Sequence, residues 1–351
     1  MKKKFIFLLL ILCLIFESSL LSSCNKNKTK FSTYSFDYFD TVTSIVGYAT
    51  SEEEFNSVSN RILSELEEYH KLFTIYHRYD NFENLCTVNE LVNGQHRTVE
   101  VDKAIIEMLD YSKQMYTKTN GKVNVAMGSV LSIWHDYRED GLSDPSNAKL
   151  PPMEKLYDAL NHTSIKNLII DKSLCTVFLS DPEMKLDVGA IAKGYAVEMI
   201  AQGLENDNIS GYVLNVGGNV RTIGSKADGN KWVVGIENPD ENNEEPYLAY
   251  LELSGEALVT SGSYQRYYFV DGKQYHHIID PDTLMPSENF LSVSIVCKSS
   301  ADGDALSTAL FCMDLDEGLD LINSLKGTEA MWVTNSGEIH YSAGFKNYIK
   351  Q

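Results

Sequence analysis

Apolar residues along this chain follow two rhythms, and the change from one to the other predicts its elements. Across residues 52–70, Phe55, Val58, Ile62, Leu66 and Tyr69 recur at helical spacing behind Ser51, a side chain suited to capping a helix start. Residues 101–119 repeat that design, with Asp102 as cap, Ile105, Ile106 and Leu109 inside, and Gly121 as the stop. Residues 36–49 read as a strand, and 139–152 are polar enough to form a surface loop. From residue 165 onward short β segments dominate, at 168–170, 176–179, 212–216, 232–236, 249–253, 257–259, 267–270, 275–279 and 292–297. Val270-Asp-Gly-Lys273 is a hairpin turn, and a last β pair falls at 331–333 and 339–341. Helices are expected to start near Ala190 and after Ser299. The pattern is mixed α/β without a strict βαβ alternation, and it predicts one compact domain over residues 36–351.

The N-terminus carries different information. Met1-Lys-Lys-Lys4, an apolar run over 5–16 and the exit Leu21-Ser-Ser-Cys24 describe a secretory signal too short to span a membrane. Leu-Ser-Ser-Cys also has the form of a bacterial lipobox. The expectation is a cleaved lipoprotein signal over 1–23, a lipidated Cys24, and a flexible tether over 24–35. The body would then sit at the cell membrane, lipid-anchored, facing the periplasm or the extracellular side.

The formal charge is −19, and losing residues 1–23 removes three lysines and one glutamate, leaving −21. A body this acidic disfavours nucleic acid. An anionic ligand would need a locally cationic site, for which Lys193 and a metal ion are the candidates. Cys86, Cys175, Cys297 and Cys312 show no paired spacing and read as buried reduced thiols.

Candidate chemistry is concentrated in Ser299-Ser-Ala-Asp-Gly-Asp304-Ala-Leu-Ser-Thr308. Asp304 and Thr308 are one helical turn apart, so their oxygens share one face, and hard oxygens suit Mg²⁺. Three other segments set glycine and polar residues inside apolar runs: Leu186-Asp187-Val-Gly189-Ala190-Ile-Ala-Lys193-Gly194, Asn215-Val-Gly217-Gly218-Asn219, and Thr260-Ser261-Gly262-Ser-Tyr264-Gln-Arg266 running on to His276-His277-Ile278-Ile-Asp280-Pro281. The Asn-Val-Gly-Gly-Asn segment lacks the spacing of a dinucleotide-binding fingerprint. In a strand His276 and His277 face opposite ways, so one of the two can serve a site.

Taken in this order, the segments resemble the ApbE family of FAD:protein FMN transferases, from about Phe36 to the C-terminus. The resemblance implies a single domain related to the T-fold and a Mg²⁺-dependent reaction, with Mn²⁺ as the alternative ion. FMN would pass from the substrate FAD to a Thr or Ser hydroxyl of a target flavoprotein, releasing AMP. It implies metal ligands at Asp304, Thr308 and the Ala190 backbone carbonyl, with Ser307 at an adjacent ligand position. It places FAD contacts at Phe39, Tyr76, Lys122, Val123, Asn124, Asp187, Lys193 and Ile278, the last through its backbone, and the general base at His277. Asn124 and Asn219 stand where relatives carry Asp. Acceptors would be membrane electron-transport subunits or extracellular flavoproteins. A metal-dependent FAD pyrophosphatase and a non-catalytic flavin-binding lipoprotein are the alternatives.

Overall fold

The computed structural model describes residues 28–240 and 243–351. The expected signal and the lipidation candidate Cys24 lie outside the described residues.

Eight strands form one sheet, antiparallel throughout: β1 (Thr29–Ser35), β2 (Thr43–Ala49), β3 (Tyr212–Val216), β4 (Asn219–Ile223), β7 (Ala257–Gly262), β10 (Phe290–Cys297), β11 (Glu329–Thr334) and β12 (Ile339–Tyr341), in that spatial order. Between β4 and β7 the chain makes a separate hairpin, β5 (Trp232–Glu237) with β6 (Tyr247–Leu253). A second hairpin, β8 (Tyr267–Val270) with β9 (Lys273–His276), precedes β10.

Of the expected strand over 36–49 only residues 43–49 are β, as β2, and a further strand, β1, precedes them. β1 lies inside the stretch expected to be tether and pairs with β2 from Thr29↔Ala49 to Ser35↔Thr43. Its alternation, with Phe31 packed near Phe55 and Ser35 buried, gives it a reason to fold onto the sheet. Residues 36–42 between the strands are held in a turn where Phe39 and Asp40 both have positive φ.

One face of the sheet is covered by helices. α1 (Glu52–Phe73), capped by Ser51, and α5 (Ala192–Asn206) bury Ile62, Leu66, Val197 and Leu204 against Ile45 and Leu214. α6 (Ser300–Phe311) lies beside α5 and against β7 and β10, and every residue in it except Asp302 and Thr308 is buried. A helix enclosed on all sides buries its polar residues too, and Ser300, Asp304 and Ser307 lie inside with the apolar ones. α2 (Lys103–Lys118) closes this core. The opposite face carries the β5–β6 hairpin, with Ile236, Leu251 and Leu253 on Val220, Leu258 and Val296.

A side cluster joins α3 (Gly128–Ser143) and α4 (Met153–Leu160) to the β8–β9 hairpin through Trp134, Leu156, Tyr268 and Val270. α3 corrects the expected loop over 139–152, since it runs on to Ser143. Its last turn is polar because it is half-exposed, while Val130 and Trp134 anchor its inner side. α7 (Leu315–Ser324) follows α6 and packs on β11. Among the described residues no helix is long and apolar enough to cross a membrane.

Candidate active site

The site forms where the first turn of α5, the middle of α6 and the β3–β4 turn meet. Asp304 on α6 is 4 % exposed and its carboxylate receives three donors. Gly194 donates its backbone N–H to Oδ2 at 2.8 Å, and Lys193 Nζ and Asn219 Nδ2 each lie 3.3 Å from Oδ1. The Gly194 N–H is one of the unpaired donors at the start of α5, so the helix end itself grips the carboxylate. This approach requires glycine, because a Cβ at Gly194 would sit 2.4 Å from both Asp304 Cβ and Ser300 O. Asn219 is delivered by the two-residue turn Gly217–Gly218, whose φ values of 53° and 87° suit glycine at both positions. Its Oδ1 is buried with no partner.

One turn beyond Asp304, Thr308 opens onto a cavity that also touches Ala190. Ser261 Oγ lies 3.5 Å from Thr308 Oγ1 and 2.8 Å from Ser307 Oγ. Ser307 is turned inward: its hydroxyl is buried and also donates to Asp304 O at 3.0 Å, so its side chain does not line the cavity. Asp304, Thr308, the Ala190 backbone and the orphaned Asn219 Oδ1 are all hard oxygens, a donor set that fits Mg²⁺ or Mn²⁺. Among the described residues no group of three or more His, Cys, Asp or Glu side chains is placed to hold a metal.

His277 follows directly after β9. Its backbone N–H and its ring Nδ1 both reach the Arg266 carbonyl, at 3.0 and 3.2 Å. A carbonyl only accepts, so Nδ1 carries the proton and Nε2 keeps its lone pair. Desolvation, then the nearby Arg266 guanidinium, draw the imidazole down from 6.5 to about 3. His276 is buried and fully used, with Nε2 2.7 Å from Ser287 O and Nδ1 accepting from Ile278 N at 3.2 Å. Of the pair, His277 alone faces the cavity with a free nitrogen.

The inner cavity, about 210 Å³, opens past Asp187, Lys193 and His277 into an outer chamber of about 880 Å³. Tyr76, Lys122, Val123, Asn124 and Ile278 line the inner cavity, and Phe39 lines the outer one. The expected contact set is thus brought to one cleft, but several members are already engaged. Lys122 Nζ pairs with Asp280 and Asp282 at 3.0 and 2.8 Å, so it is a braced cation. Asn124 Oδ1 accepts from Ala126 N at 3.0 Å and its Nδ2 donates to Thr163 O at 2.9 Å; the amide caps a short 3₁₀ turn, which accounts for Asn here. Ile278 spends its N–H on His276, and its carbonyl accepts from Ser287 N. Gly189 does not adopt a left-handed turn; its N–H donates to Asp187 Oδ1 at 2.8 Å, and burial pushes the Asp187 carboxyl up. Phe39 donates its backbone N–H to His70 Nδ1 at 3.1 Å, which fixes the loop carrying its ring. Tyr76 stands at the mouth, 53 % exposed, with its ring 5.1 Å from that of His135.

Two cations were not assigned from sequence. Arg266 and Arg138 line the inner cavity with Lys193, giving an acidic protein a cationic cleft. Arg266 stands inside a motif already singled out; Arg138 lies just before the expected loop, in a stretch read as no element, although Val130, Leu131 and Trp134 have helical spacing. The four cysteines are free, Cys297 and Cys312 buried and Cys86 and Cys175 only half-buried.

Comparison with known proteins identifies the family and the fold. The profile of the ApbE family matches residues 39–332. A FAD:protein FMN transferase of Klebsiella pneumoniae is 30 % identical over 283 residues, covering 78 % of this chain and 84 % of that protein. One from Treponema pallidum is 29 % identical over 266 residues, covering 72 % and 71 %. Among solved structures, the ApbE protein of Thermotoga maritima superposes with a TM-score of 0.79 at 28 % identity, over 92 % of this chain and all of that one. The flavin transferase ApbE of Vibrio cholerae, at 22 % identity and a TM-score of 0.74, shares the fold. The chain belongs to the ApbE family.

Proposed function

We propose that this protein transfers FMN from FAD to a Thr or Ser hydroxyl of target flavoproteins, with Mg²⁺ and with release of AMP. The observation that carries this reading is the meeting of Asp304 and Thr308, Lys193 and a neutral His277 around one cleft. When bound at Asp304, Thr308 and Ala190, a divalent cation would neutralise phosphate oxygens of the dinucleotide. Lys193, Arg138 and Arg266 supply positive charge along the same walls, and the N-terminus of α5 favours phosphate.

His277 Nε2 takes the proton of the acceptor hydroxyl. The oxygen attacks the FMN phosphorus, the anhydride bond to the AMP phosphate breaks, and AMP leaves carrying that electron pair. The Arg266 carbonyl keeps Nδ1 protonated throughout, so the proton has one nitrogen to enter. A basicity near 3 is low for this task, but a diphosphate beside the ring favours imidazolium and raises it when FAD is present.

The reading extends to location: an acyl anchor on Cys24 would hold the protein at the cell membrane, on the periplasmic or extracellular side, where it would meet its acceptors. The test is incubation with FAD, Mg²⁺ and an acceptor domain, followed by mass spectrometry. Acceptor gaining FMN less water supports the transferase. Free FMN and AMP with unmodified acceptor would convert the reading to a pyrophosphatase, and unchanged FAD would overturn both.

A further inference from the structure

The outer chamber is bounded by a sheet face and a strand edge. Its floor is the face of the large sheet, with Ser44 and Val46 on β2 and Val213 and Asn215 on β3. These are registered across the strands as Ser44↔Asn215 and Val46↔Val213. The β5–β6 hairpin packs on the neighbouring half of this face, in one cluster with β4, β7, β10 and β11, and Val213 lies at that cluster's border. The chamber wall is β5. Trp232, Val233, Val234 and Gly235 all line it, although successive side chains of a strand point to opposite sides. A surface touched by consecutive residues of a strand is the strand's edge. β5 pairs only with β6, and among the described residues no strand takes its other edge.

An uncovered sheet face beside an open strand edge makes a step. One more strand fits it, about 4.8 Å from β5 and about 10 Å above β2 and β3. The step is oriented: Trp232 is fixed at its far end by Nε1 donating to Gly224 O at 3.1 Å and by the Tyr48 ring. At its near end Glu237 and Tyr264 line the same chamber, Tyr264 within the segment that leads to Arg266. The chamber then continues past Asp187, Lys193 and His277 into the inner cavity.

We infer that the acceptor protein docks here, an extended segment adding to the free edge of β5 and presenting its hydroxyl to His277. This rests on the transferase reading, which requires a polypeptide substrate to reach the dinucleotide. An unpaired edge recognises a polypeptide through main-chain hydrogen bonds and tolerates varied side chains, as an enzyme with several acceptors needs.

The test uses the full-length mature protein with a recombinant acceptor domain from a membrane electron-transport subunit, alongside that domain's Thr→Val variant as an unreactive ligand. Of two adjacent strand residues, one N–H points to β6 and the next points outward, so Val233→Pro and Val234→Pro separate the two roles. The Pro variant that keeps the wild-type melting temperature is expected to raise the acceptor KM at least tenfold, with FAD affinity by flavin fluorescence unchanged. Hydrogen exchange at residues 232–237 is expected to slow when the Thr→Val acceptor binds. Unchanged KM in the tolerated variant, or unchanged exchange at β5 while transfer proceeds, would overturn the docking edge alone. Exchange that is slow without acceptor and quickens when residues 25–28 are deleted would give the edge to the chain's own N-terminus, and also overturn it. Failure of the wild type to modify any acceptor would instead remove the reading beneath it.

Discussion

Gly194 lies so close to Asp304 that its backbone N–H reaches Oδ2 at 2.8 Å while any Cβ would stand 2.4 Å from Asp304 Cβ. Gly194→Ala must therefore push α5 and α6 apart at the point where the carboxylate is held. We expect it to destabilise the protein by about 1–3 kcal/mol, the usual range for overpacking, and to reduce flavin transfer. Thermal melting together with transfer rates checks this; an unchanged melting temperature would mean the helices yield freely.

Asp304→Asn keeps the volume and an oxygen for the Gly194 N–H but removes the only carboxylate of the donor set. Transfer should fall by at least about a hundredfold, the scale seen when one electrostatic group is removed from an active site. Truncation to Ala would be a poorer probe, since it strands two buried donors, the Gly194 N–H and Asn219 Nδ2. Near-wild-type turnover at millimolar Mg²⁺ would end the assignment of Asp304 as the metal anchor.

Asn219→Asp places a second carboxylate about where Nδ2 now donates to Asp304 at 3.3 Å. Two like charges this close disfavour ionisation of both unless a cation lies between them. The variant should melt lower than wild type in EDTA, by about 2–4 °C for each kcal/mol lost, and recover more on adding Mg²⁺. A Mg²⁺ response equal to that of wild type would place Asn219 outside the cation's reach.

His277→Ala should slow transfer by roughly 10²–10⁴, the contribution expected of a general base, while leaving FAD affinity in place. The same residue carries a pH signature. In the folded protein its imidazole is drawn down to about 3 from 6.5, so between those values the unfolded chain holds a proton that the folded one does not. Its contribution to stability is complete above about pH 6.5 and declines as pH falls toward 3. Melting temperature should drop across that window, and His277→Ala should flatten part of the slope; an unchanged slope would mean the ring is solvated.

Much of this site was legible because its chemistry sits in short segments whose local geometry is dictated locally. The one-turn spacing of Asp304 and Thr308 needs no knowledge of the rest of the fold. What a sequence hides is who else has claimed a polar group. Asn124 reads as a ligand contact until Ala126 N and Thr163 O are seen to occupy it, and Lys122 reads as a free cation until Asp280 and Asp282 are found on it. The β1 strand escaped notice because Thr29–Ser35 carries few apolar residues; only pairing with β2 makes it regular. α6 is legible from its polar start and the apolar Ala305, Leu306, Ala309 and Leu310 behind it; that Asp304 and Ser307 are enclosed too is set by α5 and β7, which the local sequence does not show.

The early start of β1 also sets a working radius. Among the described residues regular structure begins at Thr29, five positions after Cys24, and five extended residues reach about 17 Å. With an acyl chain on Cys24, the enzyme would graze the bilayer rather than roam above it. Its targets would then have to bring their hydroxyls down to the lipid headgroups, which favours partners that are themselves embedded in the membrane.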